Sequence, residues 1–515
     1  MTASFTLDRT DWQILIDGTR TNSQSQRWFE VQDPATGEAI ARVPDCTAGE
    51  VDAAVRAARR AYEGGWRYRS ARERGQLLFS VADVIRRHAD ELAWLETREV
   101  GKPLRDSRNF DVAVSIALFE YFGGLADKVD GEFLLQGPTN AQVVPEPYGV
   151  VGAILPFNWP PIHLAGKIAP ALATGNTIVL KPGEQAPLVA LRMIELMQEV
   201  LPSGVVNSVT GRAAGPALAG HPMVGRLTFT GASETGKAVM RSAADNLTMV
   251  TMELGGKNPL IVFEDADLDD ALRGAIEGMY FNQGEACTST SRLLLHASVH
   301  DRFLERFCAA TEGLHVGDGL DEATDIGPMV DRAQQERVLS YIEIGQQEGA
   351  RVAARGRVPD DPKFRNGFWV APTVFTGVTE KMRIAQEEIF GPVCSVMRFE
   401  SYEEAIRIAN STDYGLTAAV YTRDQEQASR AARDIEAGIV FVNNYFRGSL
   451  LGSPFGGMKA SGFGRENAKE ALREFVRSKN VRMPSGFGQT PAWAPVDRLV
   501  PRQTSGSRDG EGSGS

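Results

Sequence analysis

VVGAILPFNWPPIHLAGKIAPALATGNTIVLKPGEQAP, residues 150–187, opens the stretch of this chain that decides its fold. VVGAIL is a short apolar run ending at a proline, IHLAGKIAPALATG repeats its apolar residues at helical spacing, and TIVLK is again a short strand-like run. The alternation continues to residue 263, through helix PLVALRMIELMQEVL, strand VVNSVTG, helix AAGPALAG, strand RLTFT, helix KAVMRSAADN and strand TMVTMEL. Such an order requires right-handed crossovers and a parallel sheet covered on both faces. Ligands of such sheets bind at the carboxyl ends of the strands, so chemistry is expected in the loops there.

Three of those loops carry informative residues. In PFNWPP, Asn158 is stiffened by flanking prolines, which makes its amide a preorganised donor of the kind an oxyanion needs; a plain turn residue satisfies the same pattern. In KPGEQAP, Lys181 and Glu184 leave a strand and read equally well as a solvated turn. In FTGASETGK, Gly231 and Gly236 bracket a helix start whose backbone N–H groups can face a phosphate. This is not the G-x-G-x-x-G fingerprint, although it does follow a strand and open a helix.

Next along the chain stands VTMELGGKNPLIVFEDADLDDALRGAIEGMYFNQGEACTSTSRLLL, residues 250–295. Glu253 sits where a strand runs into a Gly-Gly turn, a common address for a catalytic carboxylate. Cys287 follows an apolar helical pattern (Leu268, Leu272, Ile276, Met279, Tyr280) and precedes a strand, on a short polar connector. A reactive thiol and a small buried hydrophobe are both open readings of it. From about 270 to 445 a second alternating unit follows and carries this thiol.

MELGGKNPLIVFEDADLD followed by FNQGEACTSTSR resembles the two signature segments of the NAD(P)-dependent aldehyde dehydrogenase superfamily, glutamate first and cysteine second. The resemblance runs from DPATGE (Asp33–Glu38) to PFGGMKASGFGRE (Pro454–Glu466). It implies an α/β fold of two domains with parallel-type sheets, a Rossmann-like cofactor domain and a catalytic domain, plus a small β oligomerisation element. The implied boundaries are 1–130 with 149–255 for the cofactor domain, 256–475 for the catalytic domain, and 131–148 with 476–491 for the oligomerisation strands. It further implies oxidation of a small-molecule aldehyde to the acid, with Cys287 as nucleophile, Asn158 as oxyanion donor and Glu253 as base. NAD is the implied cofactor, in preference to NADP. Lys181 and Glu184 would hold its adenosine ribose, Gly231, Ser233 and Gly236 its pyrophosphate, and Glu388 and Phe390 its nicotinamide side, with Pro156, Phe157 and Leu254 against it. Family members often have serine where Ala232 stands, so the usual pyrophosphate contact is altered here.

The resemblance places Phe455 in a substrate tunnel. If a helix begins near Ile162, His163 and Gly166 share a face and line that tunnel with Trp159. Many resembling enzymes of short aliphatic aldehydes have a bulky aromatic at the position of Gly166. A tunnel widened there suits bulky aromatic or long-chain aldehydes; close helix packing is the other use of such a glycine. Two further readings differ in function: an acylating dehydrogenase that passes the acyl group to coenzyme A, and a non-catalytic structural protein on the same fold.

The rest of the chain bounds these readings. Its 515 residues have 43% hydrophobic and 23% charged composition, as expected of a globular protein with room for two or three domains. A net charge of −11 without a basic run argues against nucleic-acid and anionic-membrane partners. Cys46, Cys287, Cys308 and Cys394 form neither a disulfide framework nor a metal pattern, which points to a reducing, cytoplasmic location. No metal site is expected. The amino terminus lacks a basic-then-apolar leader and no apolar window is long enough to span a bilayer. Thr47 and Glu50 form a capping-box signature that starts a helical region running to about residue 128. LLQGPTNAQVVPEPYGV reads as extended strand interrupted by turns, which the resemblance assigns to a hairpin for assembly as a homodimer or homotetramer; on sequence alone a surface hairpin with no partner is equally acceptable. Residues 492–515 end in a Gly/Ser/Asp run expected to be disordered.

Overall fold

In the computed structural model, which describes residues 5, 7, 9–445, 451–490 and 492–500, the alternating stretch forms a sheet of five parallel strands. In spatial order these are Met249–Glu253, Arg226–Thr230, Val150–Ile154, Thr177–Lys181 and Val206–Ser208. Side chains alternate across it: Ile178 and Leu180 enter one apolar core while Val179 enters the other. That is the two-sided burial that near-continuous apolar strands call for. A sixth strand, Gly462–Phe463, pairs antiparallel with Met249–Glu253, so the segment after residue 256 returns to complete the first sheet.

The second alternating unit forms a seven-stranded sheet. Its order is Arg351–Arg355, Thr373–Thr376, Val393–Phe399, Arg292–His296, Pro259–Val262, Thr417–Tyr421 and Ile439–Val442, parallel except at the Arg351–Arg355 edge. Here Ile261 and Leu294 face one core and Leu260 and Leu293 the other. Both sheets belong to one compact unit, residues 1–129 and 147–476.

Helices Ala48–Glu63, Ala71–Arg87 and Ala89–Val100 precede the first sheet. The Thr47/Glu50 capping box forms, and Val51, Ala54, Val55 and Ala58 are buried on the face that the spacing marks. A further helical run covers 104–125, with a π-helical turn at Ser107–Val112 in its middle. Among the described residues no helix is long and apolar enough to cross a membrane.

The smaller unit comprises 130–146 and the chain from 477 onward. Strands Glu132–Gln136, Thr139–Pro147 and Val476–Pro484 form a three-stranded sheet. Within the tail expected to be disordered, Ala494–Leu499 is helical; residues 501–515 lie outside the described residues.

Candidate active site

The chain leaves Val150–Ile154 toward one edge of the first sheet and returns on the other side of it at Arg226–Thr230. Strand order therefore reverses between these two neighbours, and the loops at their carboxyl ends diverge to open a crevice. A cavity of about 430 Å³ occupies that place. Pro156, Phe157 and Asn158 form one wall and Gly231, Ala232 and Ser233 another, with Leu254, Gly255, Cys287, Glu388 and Phe390 closing it.

Helix Ser233–Ala244 begins at this cavity, and its N-cap residue Ala232 provides no side-chain cap. Its first N–H groups and the positive end of its dipole are therefore left for an anion, a fit to a dinucleotide's pyrophosphate. The Ser233 hydroxyl is turned elsewhere, donating to the Ala460 carbonyl at 3.2 Å. The two glycines are required by packing: a Cβ on Gly231 would lie 2.7 Å from the Phe229 ring, and one on Gly236 2.6 Å from Leu254 Cδ2. Lys181 donates to the Glu184 carboxylate, and Glu184 lines a second cavity of about 320 Å³ together with Arg212 and Asp45 rather than the first one.

The thiol is presented by a strained loop. After helix Leu268–Tyr280, Asn282, Gln283 and Gly284 all take left-handed backbone angles, φ 55°, 56° and 72°, which cost free energy at the two non-glycine positions. Compensating contacts surround them. Asn282 Nδ2 donates to the Glu285 carbonyl at 2.9 Å and to the Asn158 carbonyl at 3.2 Å, and Asn158 Nδ2 donates to the same Glu285 carbonyl at 2.9 Å. Asn158 thus ties the first sheet to the loop two residues before Cys287. From the other side, Asn258 Nδ2 donates to the carbonyls of Cys287 and Ser289, at 2.8 and 2.9 Å.

Cys287 is half-buried and lines the cavity. Cys46 and Cys394 are fully buried, and burial pushes the thiol of Cys46 to about 11 and that of Cys394 to about 12. Such thiols are inert at neutral pH.

Glu253 ends its strand with 2% exposure, and neither carboxylate oxygen has a hydrogen-bond partner among the described residues. Burial first, and then the charge of Glu466, push its carboxyl well above the ordinary range, against the pull of Lys167 and Arg465. Room for it depends on Gly456, where a Cβ would lie 2.8 Å from Glu253 Oε1. Lys167 Nζ in turn donates to Glu466 Oε1 at 2.5 Å and to Thr228 Oγ1 at 3.0 Å.

A second space, about 220 Å³, adjoins at His163, which lines both. Its walls include Phe110, Trp159, Leu451, Phe455 and Asn467. Trp159 occupies the N-cap position of helix Pro160–Ala173 without a side-chain cap, and the first two helical residues are prolines, so His163 and Gly166 do share a face. Gly166 itself is one layer back: the nearest atom to a Cβ there is Asn467 Oδ1, 3.7 Å away. Burial, then Lys167 and Lys102, push His163 down to about 3, so its imidazole is neutral.

Several residues around the site have no motif of their own. Arg337 donates to the Glu388 carbonyl and Gln334 to the Phe390 carbonyl, both at 2.6 Å, and so hold the loop in which Phe390 adopts φ 63°. The ring of Phe390 stands edge-on to Phe157 at 5.8 Å. Glu388, half-buried, is pushed to about 7 by desolvation and accepts from Gly256 N at 3.0 Å. Helix Arg332–Gln347, which supplies Gln334 and Arg337, has mostly polar residues and reads in sequence as a solvated helix. Lys167 and Glu466 are far apart in the chain, and only the fold pairs them.

Residues 20–481 match the model of the aldehyde dehydrogenase family. An aldehyde dehydrogenase of Didymella fabae is 50% identical over 479 residues, 92% of this chain and 96% of its own. Retinaldehyde dehydrogenase 3 of Mus musculus is 44% identical over 479 residues, 91% of this chain and 92% of its own. Among solved structures, PnpE in complex with nicotinamide adenine dinucleotide superposes with a TM-score of 0.91 at 43% identity over 93% of this chain and 99% of its own, and PnpE from Pseudomonas sp. WBC-3 with the same score and identity over 94% of this chain and 100% of its own. With fold, crevice and motifs in agreement with these matches, the chain belongs to the aldehyde dehydrogenase family.

Proposed function

We propose that the protein oxidises a bulky apolar aldehyde, aromatic or long-chain, to its carboxylic acid through a thioester on Cys287. The observation that carries this is the placement of Cys287 in one cavity with Asn158 and an uncapped helix N-terminus, joined at His163 to an aromatic-walled space. NAD, the cofactor, accepts the hydride when bound.

The Cys287 thiolate attacks the carbonyl carbon, and its own backbone N–H with the Asn158 amide stabilises the resulting oxyanion. Asn158 Nδ2 already points at the thiol's loop, through the Glu285 carbonyl. When the oxyanion collapses, hydride leaves the carbon and a thioester remains on Cys287. Glu253 then takes a proton from water, which attacks the thioester carbon and releases the acid and the thiolate. A carboxyl raised by burial suits this task, because a base is most effective when its pKa lies near the working pH. The neutral His163 offers a polar contact to the substrate rather than a charge.

Assembly into a homodimer or homotetramer is supported within each unit by apolar residues left exposed. Strand Glu132–Gln136 exposes Phe133 and Leu135, and the edge of the six-stranded sheet exposes Met249 and Phe463. Light scattering after size exclusion tests this, and a monomer would refute it.

NADH formation across a panel of aldehydes, with and without coenzyme A, tests the function. Turnover of aromatic and long-chain aldehydes independent of coenzyme A is expected. Strict dependence on coenzyme A would assign the acylating reaction, and the absence of NADH with every aldehyde would refute the enzymatic reading.

A further inference from the structure

Behind Asn158 stands a buried ionic cluster that the reaction above does not use. Lys102 is 1% exposed and Glu96 and Asp111 are fully enclosed. Lys102 Nζ donates to Asp111 Oδ1 at 2.7 Å and to the Asn158 backbone carbonyl at 2.8 Å, with Glu96 Oε1 3.0 Å away. Burial, and next the charge of Asp111, push the Glu96 carboxyl well up, against the pull of Lys102. Burial opposes the charge on Lys102, but Asp111 and Glu96 outweigh it and the ammonium persists. Enclosed charges of this kind are weak stabilisers of a fold, since desolvation consumes most of the Coulombic gain. Their contact with the site is the Asn158 peptide.

The π-helical turn at Ser107–Val112 shows how that contact is built. Successive side chains on an α-helix point about 100° apart, and the wider π turn brings neighbours somewhat closer in direction. In this turn both face inward: Asp111 reaches Lys102, and Phe110 stands edge-on to the Trp159 ring at 6.1 Å. Two consecutive residues of one helix thus bear on two consecutive residues of the crevice loop, Asp111 through Lys102 on the Asn158 carbonyl and Phe110 directly on the Trp159 ring. Isolated π turns are rare and recur at functional sites.

We propose that Lys102, held by Asp111, is a positioning residue that fixes the Asn158 peptide and thereby aims the Asn158 side-chain amide at the oxyanion. The proposal rests on the oxyanion role given to Asn158 above. Without Lys102 the carbonyl keeps the 3.2 Å bond from Asn282, and the peptide is free to rotate about that weaker tether.

The test is a double-mutant cycle on kcat/KM for an aromatic aldehyde, comparing wild type, Lys102→Met, Asn158→Ala and the double variant. Removing a single oxyanion donor costs on the order of 100- to 1,000-fold, so Asn158→Ala should lose about that much. Lys102→Met should lose at least ~10-fold as the same donor is misaimed. The double variant should match Asn158→Ala within about twofold, the usual error of additivity. Losses that multiply, or a Lys102→Met variant within about twofold of wild type, would overturn the positioning role while leaving that of Asn158 intact. An Asn158→Ala variant equally close to wild type would overturn the oxyanion reading, and the proposal with it. Asp111→Asn keeps the side-chain shape and repeats the cycle, with the same expected pattern, should Lys102→Met not fold.

Discussion

Placing tryptophan at Gly166 should shift the proposed preference for ring-bearing aldehydes toward acetaldehyde. The glycine has ordinary helical backbone angles, and a Cβ there meets nothing closer than Asn467 Oδ1 at 3.7 Å, so the substitution forces no clash at its root. Asn467 is itself one of the residues that line the 220 Å³ space. An apolar cavity of about 150 Å³ is enough to hold benzene, so the wild-type space accommodates one substituted ring. An indole is larger than benzene and would fill most of it, leaving room for a methyl group but not for a second ring. Burying a phenylalanine-sized side chain contributes about 1.5–3 kcal/mol. Losing that burial should lower the kcat/KM ratio of benzaldehyde to acetaldehyde by roughly 10- to 150-fold, at about 1.4 kcal/mol per tenfold. NADH formation from the two aldehydes, in wild type and Gly166→Trp, measures the ratio. A ratio within about twofold of wild type, in a variant that melts cooperatively and binds NAD, would show that residue 166 has no access to the tunnel.

Cys287→Ala should abolish dehydrogenase activity and leave NAD binding intact, because losing a covalent nucleophile costs far more than the ~10-fold that would disprove the assignment; alanine at Cys46, Cys308 or Cys394 should remain active. Glu253→Gln should give a rapid burst of NADH followed by slow turnover, since hydride transfer precedes hydrolysis, and loss of the burst would mean that Glu253 also activates the thiol. The base works ionised and its pKa is raised, so steady-state turnover should fall as pH drops through a midpoint above the ordinary glutamate value of about 4.3; a midpoint at or below that value would contradict the burial argument. Glu184 should favour NAD over NADP, because a carboxylate beside a 2′-phosphate costs about 1 kcal/mol or more even in water; Glu184→Gln should therefore raise the relative efficiency of NADP, and an unchanged ratio would remove Glu184 from the ribose pocket.

What was legible in the chain follows from the range of the forces involved. Period-two and period-3.6 patterns are local, so the strands from Val150 to Glu253 and the capping box at Thr47 could be read directly. The chain ends of those strands pointed to the loops carrying Asn158, Gly231 and Glu253 because strand order in such sheets sets the crevice. Patterns said less where one residue serves two purposes. Gly231 and Gly236 look like a phosphate loop, and their geometry is explained by contact with Phe229 and Leu254. Ser233 looks like a ligand, and its hydroxyl is already committed to the chain at Ala460.

The polar machinery around the site was the least legible part, and the reason is physical. A buried charge is tolerated only with a partner, but nothing local in the sequence says which partner it will meet. Lys167 sits in an apolar helix, where a lone lysine suggests an exposed edge; it is buried because Glu466, from the far end of the chain, is brought to 2.5 Å. Lys102 follows a helix-ending glycine and reads as a solvated turn, until the π turn delivers Asp111 to it. In both cases the ammonium is enclosed by residues that the fold brings together, and both lie beside groups assigned to the reaction, Glu253 for Lys167 and Asn158 for Lys102. Enclosure lowers the dielectric around these pairs, which strengthens their hold on the neighbouring carboxylate and peptide. The same enclosure leaves no signature in hydropathy, because a lysine counts as polar whether water or a carboxylate surrounds it.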